Sequence, residues 1–134
     1  MSFLVFDVES VAIDKAADYL EPATAPSNYV KPEAIAAYIE KANAEQLAKA
    51  ALDVDLARIV CLGIDDGSGP LCETATNEDD ERDLLIAFWL RLTGPKVRPA
   101  LVGFNCIGFD LPVLLRRSLY LDVKSPKLQI GKYR

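Results

Sequence analysis

An apolar run that ends in two carboxylates stands at the start of the chain and constrains the fold more than any other segment. The run is FLVF, residues 3–6, and Asp7 and Glu9 follow it one residue apart. Because side chains alternate along a strand, residues two apart point the same way, so the two carboxylates are predicted side by side. Like charges at that separation repel, and a divalent cation compensates them better than water does. The segment predicts a central first strand, buried on both faces, that ends in an acidic site.

Segments with helix and strand character follow this first strand. They are an alanine-rich helix over residues 32–52, a hairpin of ARIVCLGID and PLCETAT around the turn DGSG, a helix in NEDDERDLLIAFWLRLTG with Asn77 as its cap, a short buried strand in ALVGFN, and a helix in FDLPVLLRRSLYL. The tail DVKSPKLQIGKYR has room for one more short strand. The acidic run from Glu78 to Asp83 is interpreted as a solvated helix start. This order predicts an α/β fold, a mixed sheet flanked by helices.

Length and composition are those of one globular domain. The 134 residues, 51% of them hydrophobic, are enough for a core. We expect a single domain over residues 1–134, with a helical insertion at about residues 10–55. No apolar run approaches the roughly 20 residues of a membrane span, and Asp7 comes too early for a signal peptide. A cytoplasmic protein without a membrane partner is therefore expected.

Histidine is absent, and this restricts the chemistry open to the chain. Ser-His-Asp and Cys-His catalysis and histidine metal ligands are excluded. The three cysteines, Cys61, Cys72 and Cys106, form no CxxC pair and are predicted to be reduced thiols rather than a disulfide or a zinc site. Chemistry must then rest on carboxylates, hydroxyls and bases.

Charge is distributed unevenly along the chain. Residues 1–110 hold 9 basic and 19 acidic side chains, a net of −10, and residues 111–134 hold 6 basic and 1 acidic, a net of +5. This asymmetry indicates either an anionic partner for the C-terminal part or a basic surface without a partner. Arg116 and Arg117 are correspondingly predicted either to contact a nucleic-acid backbone or to form the outer face of an ordinary helix.

A second polar cluster lies where the strand ALVGF passes into the helix that follows. Asn105 and Asp110 stand there, and sites in open α/β sheets form outside the carboxyl ends of strands. If this strand neighbours the first, Asp7, Glu9 and Asp110 converge. Three carboxylates suit Mg²⁺ or Mn²⁺. Two such ions, about 3.5–4 Å apart, activate a water and stabilise the leaving oxygen of a phosphodiester.

These segments resemble a known enzyme family. FDVES resembles the first motif, Asp-x-Glu, of the DEDD 3′–5′ exonucleases, and NCIGFD their second motif, Asn-x-x-x-Phe-Asp. The set LVFDVES, RIVCLGI and LVGFNCIGFDLPVLLRRSL is most similar to the proofreading exonuclease of family-B DNA polymerases and its stand-alone relatives. The resemblance spans residues 3–121 and is weakest at about residues 10–55. It implies a ribonuclease H-like fold, here without its last helix, and removal of nucleotides from a DNA 3′ end, most simply a single-stranded one.

The resemblance also implies a role for individual residues. Asp7 would bridge two Mg²⁺ or Mn²⁺ ions, Glu9 would help hold the ion that activates water, and Asp110 would ligate the second ion. Asn105 would orient the strand end or touch the substrate. Ser10 would lie near the 3′-terminal nucleotide. Oligomeric state is left open.

Each of these residues also has an interpretation without function. Asp7 and Glu9 are then two solvated carboxylates at a strand end, and Asp110 caps the helix that follows it. Asn105 then completes a turn. The functional interpretation is favoured because the residue types occur together, in order, and on the expected elements.

The third motif of the family has no match in this chain. That motif, Tyr-x-x-x-Asp or His-x-x-x-x-Asp, supplies a fourth carboxylate and a group that orients water. Tyr133 has no aspartate after it, and Tyr120 is followed by Asp122 at the wrong distance. The chain is interpreted as a fragment of a longer exonuclease, as a domain that another chain completes, or as a non-catalytic module. The first interpretation is favoured.

Two rival functions follow from the same residues. One is a module of the same fold that binds nucleic acid or a protein without cleavage. The other is a magnesium-dependent phosphotransferase with Asp7 as its nucleophile. The second is weakened because Glu9 replaces the second aspartate of such enzymes and no phosphate-binding Gly-Lys loop is present.

Overall fold

The computed structural model describes residues 2–130, and the chain divides into two compact units. The first unit comprises residues 1–9 and 59–134, and the second comprises residues 10–58. No helix within the described part is both long and apolar enough to cross a membrane.

Four strands form one sheet in the order β3-β2-β1-β4. They are β1 (Phe3–Ala12), β2 (Ala57–Asp65), β3 (Leu71–Thr74) and β4 (Ala100–Val102). β1 and β4 pair in parallel, whereas β2 and β3 are antiparallel, so the sheet is mixed. The helices are α1 (Pro32–Ala50), α2 (Glu78–Thr93) and α3 (Asp110–Tyr120), with a short 3₁₀ helix at Ala16–Tyr19. The predicted α/β class, a mixed sheet flanked by helices, is confirmed and is consistent with a ribonuclease H-like fold.

In the first unit, α2 and α3 lie on the same side of the sheet. Phe6 of β1 packs against Phe88 of α2 with ring centroids 5.5 Å apart, and it lines one cavity with Leu111 of α3. The two helices are joined by a hydrogen bond of 2.8 Å from the Trp89 indole nitrogen to the Ser118 hydroxyl. These aromatic rings are buried and form part of the core.

The central position of β1 is confirmed, but the prediction that it is buried on both faces is wrong. Leu4 and Phe6 are buried, whereas Phe3 and Val5 are 50% and 37% exposed. β4 is also not the buried strand predicted from ALVGFN, because it lies at the sheet edge and two of its three residues are exposed. The reason is that α2 and α3 cover only the face that carries Leu4 and Phe6.

The predicted hairpin is present, and its turn uses two glycines. Gly67 and Gly69 have φ values of +95° and +116°, which residues other than glycine rarely adopt.

The prediction of three free thiols is wrong, because Cys61 and Cys72 are joined as a disulfide with Cα atoms 6.7 Å apart. Gly63 lies opposite Cys72 in the antiparallel register, so the two cysteines are diagonal neighbours on one face.

A buried ion pair ties α2 to α3. The Glu81 side chain is fully buried, and its oxygens accept from Nε and Nη2 of Arg117 at 2.8 and 2.7 Å. Glu81 Oε1 also accepts from the Ile59 backbone N–H at 2.8 Å, which reaches β2. The prediction that the acidic run from Glu78 to Asp83 is solvated is therefore wrong for Glu81.

The predicted cap of α2 is confirmed, since Asn77 Oδ1 accepts a hydrogen bond from the Asp80 backbone N–H at 2.9 Å.

The second unit contains the predicted alanine-rich helix. It begins at Pro32 as expected and ends at Ala50, two residues before the predicted end. The rings of Tyr29 and Tyr38 pack with centroids 5.0 Å apart. The Ile13 backbone N–H donates to the carbonyl oxygen of Leu56 at 2.8 Å, closing the unit near its two ends.

Candidate functional site

Asp110 is the first residue of α3, and its side chain is only 8% exposed. The cap of this helix is Phe109, with no side-chain capping bond, so the structure does not use Asp110 as a cap. The backbone N–H groups of Asp110 itself and of Val8 on β1 favour the ionised form of its carboxylate. Val8 stands between Asp7 and Glu9, so this carboxylate lies near the acidic segment of β1.

The negative charges of Asp7 and Glu9 on β1 affect the pKa of Asp110. The pKa of the Asp110 carboxyl is raised, first by burial, then by repulsion from Asp7, and to a smaller extent by Glu9. The two backbone N–H groups oppose this shift, since they favour the ionised carboxylate. Asp110 is therefore near enough to both predicted carboxylates of β1 to be affected by their charge.

Asp7 and Glu9 lie on the open face of β1. Both side chains are exposed, in register with Phe3 and Val5 and opposite to the buried residues of the strand. Among residues 2–130, no three or more His, Cys, Asp or Glu side chains are grouped closely enough to hold a metal ion. The donors thus have the chemistry that hard divalent cations require, but their side chains do not converge as ligands.

Asn105 lies in the loop from β4 to α3, five residues before Asp110. Asn105 has φ +48°, a left-handed conformation that asparagine tolerates better than most residues, and its carbonyl oxygen accepts from the Gly108 backbone N–H at 3.0 Å. Its side chain also lies against Gly108, where an added Cβ would be 3.3 Å from Asn105 Oδ1. The turn role that the sequence left open for Asn105 is therefore present.

The remaining predicted residues differ in their burial and in their contacts. Arg117 is 3% exposed and bound to Glu81, so it is not on a surface from which it can contact a phosphate. Arg116 is exposed on α3, six residues or about 9 Å along the helix from Asp110. Ser10 belongs to the second unit, where its hydroxyl donates to the Ala51 carbonyl oxygen at 2.7 Å. Tyr133 lies outside the described residues.

The buried ion pair between Glu81 and Arg117 was not predicted from the sequence. The spacing of both residues along their helices nevertheless indicates that they are buried. Glu81 precedes Leu84, Leu85 and Phe88 by three, four and seven residues, which places it on the apolar face of α2. Arg117 follows Leu114 by three residues on α3 in the same way. Because Glu81 and Arg117 both lie on the apolar face of their helices, their positions predict that both are buried. Two buried residues of opposite charge in turn predict an ion pair.

A buried carboxylate at the start of α3, affected by the charges of two exposed carboxylates on β1, is thus present in a mixed α/β fold. A family model described as a predicted 3′–5′ exonuclease related to the exonuclease domain of PolB matches residues 49–131, which is more than half of the chain. The chain belongs to this family, which implies a nucleic-acid substrate in general. Neither a curated protein nor a solved structure matches the chain. The match includes Asn105 and Asp110 but begins after Asp7 and Glu9, so the assignment of those two depends on their motif and position.

Proposed function

We propose that this chain carries the active-site carboxylates of a metal-dependent exonuclease that removes nucleotides from a DNA 3′ end, in the manner of proofreading exonucleases. The observation that carries the proposal is the buried Asp110 carboxylate at the Val8 backbone N–H, between Asp7 and Glu9. Repulsion among three carboxylates is costly unless a cation offsets it. Family membership supports the reaction class.

Asp7, Glu9 and Asp110 are the proposed ligands of Mg²⁺ or Mn²⁺. Such ions, when bound, supply Lewis-acid stabilisation of the phosphodiester and a water of lowered pKa. Asp110 is buried, whereas Asp7 and Glu9 are exposed. Exposed side chains change rotamer within nanoseconds, so the proposal requires that Asp7 and Glu9 adopt other rotamers when the cation binds.

Other residues of the proposed site orient the substrate. Asn105 holds the turn beside the strand end, and its amide is a proposed contact to the nucleotide. Arg116, on the exposed face of α3, is a proposed contact to the nucleic-acid backbone. Arg117 is left out, because its guanidinium is bound to Glu81 in the core.

Calorimetric titration of Mg²⁺ and Mn²⁺ tests the metal site. Wild type is compared with Asp7→Ala and Asp110→Ala, and Asp79→Ala is the matched control because Asp79 is an exposed carboxylate at the start of α2. We expect the metal affinity to fall at least tenfold in the first two variants and to be unchanged in the control. Absence of Mn²⁺ binding by the wild type at millimolar concentration contradicts the proposal.

A labelled single-stranded oligonucleotide tests the reaction. We expect release of nucleotides from the 3′ end in Mn²⁺, abolished in Asp7→Ala and retained in Asp79→Ala. A 3′-phosphorothioate end is expected to slow this release, whereas cleavage within the strand contradicts an exonuclease.

A second candidate, a module of the same fold that binds nucleic acid without cleaving it, is favoured by one observation. The side chains of Asp7, Glu9 and Asp110 do not converge as metal ligands in the described residues. Oligonucleotide binding that is indifferent to metal and to the Asp7→Ala substitution supports this candidate over the nuclease.

A further inference from the structure

Four exposed cations lie in two segments that are far apart in the sequence. Lys96 and Arg98 come between α2 and β4, whereas Lys124 and Lys127 follow α3. Within residues 2–130, none of the four forms an ion pair with an acidic side chain. Their charges are therefore available to an anion outside this part of the chain.

A hydrogen bond brings the two segments together. Arg98 Nη1 donates to the carbonyl oxygen of Lys127 at 2.9 Å. Because the acceptor is a backbone atom, this contact does not use the Lys127 ammonium group. Arg98 and Pro99 also line one cavity with Leu128, so the segments lie alongside each other there. We call the surface formed by Lys96, Arg98, Lys124 and Lys127 the basic patch.

The end of α2 lies against the same C-terminal segment. Thr93, the last residue of α2, lines a second cavity together with Lys124. Asp122 lines this cavity too and brings one negative charge to it. Residues 94–101 and 123–130 contain no acidic side chain. Four cations close to one carboxylate leave the basic patch with a net positive charge.

The basic patch lies near the start of β1 and β4, whereas the proposed metal ligands come later in β1. Ala100 pairs with Phe3 at the start of these parallel strands, and Arg98 comes two residues before Ala100. Asp7 follows Phe3 by four residues in β1, which is about 13 Å along a strand. That distance corresponds to about four nucleotides at roughly 3.4 Å each. A nucleic-acid strand whose 3′ end lies at the carboxylates therefore needs several further nucleotides to reach the basic patch.

We propose that the basic patch binds the phosphate backbone of the substrate strand several nucleotides upstream of its 3′ end, a role that rests on the proposed exonuclease function. Lysine and arginine contact phosphates without reading the bases, so this binding does not depend on sequence. Residues 1–110 carry a net charge of −10 even with Lys96 and Arg98 included, so much of the chain repels a polyanion. The basic patch attracts the strand and favours long substrates over short ones.

Oligonucleotide binding tests the basic patch. The probe is a 5′-fluorescein oligothymidylate of about 20 nucleotides, titrated in Ca²⁺ at several salt concentrations. The patch variant combines Lys96→Gln, Lys124→Gln and Lys127→Gln, which remove three charges and leave the hydrogen bond of Arg98 in place. We expect the patch variant to bind the probe about tenfold more weakly or worse. The slope of its log affinity against log salt is expected to be shallower by about 2.

A charge-matched variant separates the basic patch from the net charge of the chain. The control combines Lys31→Gln, Lys41→Gln and Lys49→Gln, which also remove three exposed charges, at the start of α1 and along it. Its affinity for the probe is expected to stay within about twofold of wild type, because salt screens distant charges. Both variants are expected to keep the wild-type melting temperature, since the substituted residues are exposed. An equal loss of affinity in both variants overturns the basic patch.

Substrate length separates this proposal from the proposed function. In Mn²⁺, the patch variant is expected to release the 3′ nucleotide of a dinucleotide at the wild-type rate and to have a raised KM for the long probe. Equal affinity of wild type and patch variant for the long probe overturns the basic patch and leaves the exonuclease proposal standing. Binding that the patch variant loses, by a wild type that cleaves neither substrate, supports the basic patch and overturns the exonuclease. A wild type that neither binds nor cleaves the long probe overturns both and leaves an acidic protein as the partner of the basic patch.

Discussion

The backbone N–H of Val8, on the central strand β1, favours the ionised carboxylate of Asp110 at the start of α3. Val8 stands between Asp7 and Glu9, and the negative charges of these two residues oppose that ionised form. Burial disfavours the ionised form of Asp110 most, and the backbone N–H groups of Val8 and of Asp110 itself act against this effect, so that the pKa is raised overall. A cation bound near Asp110 would offset both effects that disfavour its ionised form.

The first prediction concerns pH and stability in metal-free buffer. Because the pKa of Asp110 is raised in the folded chain, the folded state binds its proton more tightly than the unfolded state does. The resulting stability is fully present below the pKa of an unfolded aspartate and is lost as pH rises through the folded pKa. Asp110→Asn is therefore expected to increase the free energy of unfolding at neutral pH, measured by urea denaturation with a chelator. An equal or lower stability of Asp110→Asn at neutral pH contradicts this.

The second prediction concerns stabilisation by metal. A ligand that binds only the folded state at ten times its Kd adds about 1.4 kcal/mol to the free energy of unfolding. Mn²⁺ is expected to raise the melting temperature of the wild type but not of Asp7→Ala. Equal shifts in the two proteins would place the bound Mn²⁺ elsewhere.

The third prediction concerns the ion pair between α2 and α3. Arg117→Met leaves the Glu81 carboxylate buried without its bidentate partner and is expected to cost about 3–5 kcal/mol of the free energy of unfolding. Adding Glu81→Gln removes the uncompensated charge and is expected to recover part of that loss. Arg116→Met, a substitution on the exposed face of the same helix, is expected to cost less than about 1 kcal/mol. Denaturant titration of the four proteins checks this, and a cost for Arg117→Met as small as that for Arg116→Met would refute it.

The fourth prediction separates the two roles of Asn105. Its φ of +48° suits glycine as well as asparagine, so Asn105→Gly is expected to change stability by less than about 0.5 kcal/mol. Asn105→Ala is expected to cost about 1 kcal/mol, because alanine tolerates this conformation poorly. If the amide contacts the nucleotide, both variants lose oligonucleotide affinity, whereas a turn role alone spares the glycine variant.

Helices and turns were the most predictable part of this fold. Local backbone chemistry determines these features, so a few neighbouring residues are enough to predict them. Examples are Asn77 as a cap, the glycines of the hairpin turn and the proline at the start of α1. The prediction from neighbouring residues fails for the burial of Phe3 and Val5. An apolar residue predicts burial, but what covers a sheet face depends on elements distant in sequence, and α2 and α3 both lie on the other side.

The candidate site was predicted only in part for a similar reason. Asp7 and Asp110 were identified from motifs, and their proximity followed from the expectation that β1 and β4 are neighbours, which the structure confirms. The burial of Arg117 depends on helix packing. A pair of adjacent arginines ordinarily indicates a surface, but Arg117 falls on the apolar stripe of α3 and is buried there.

The titration of the Asp110 carboxyl by ¹³C NMR, first with a chelator and then with Mg²⁺, tests whether Asp7 and Asp110 share a cation. We expect a pKa above the ordinary aspartate value in the chelator and a large fall of this pKa on addition of Mg²⁺, with the fall abolished in Asp7→Ala. An Asp110 pKa that is the same with and without Mg²⁺ would contradict a shared cation site.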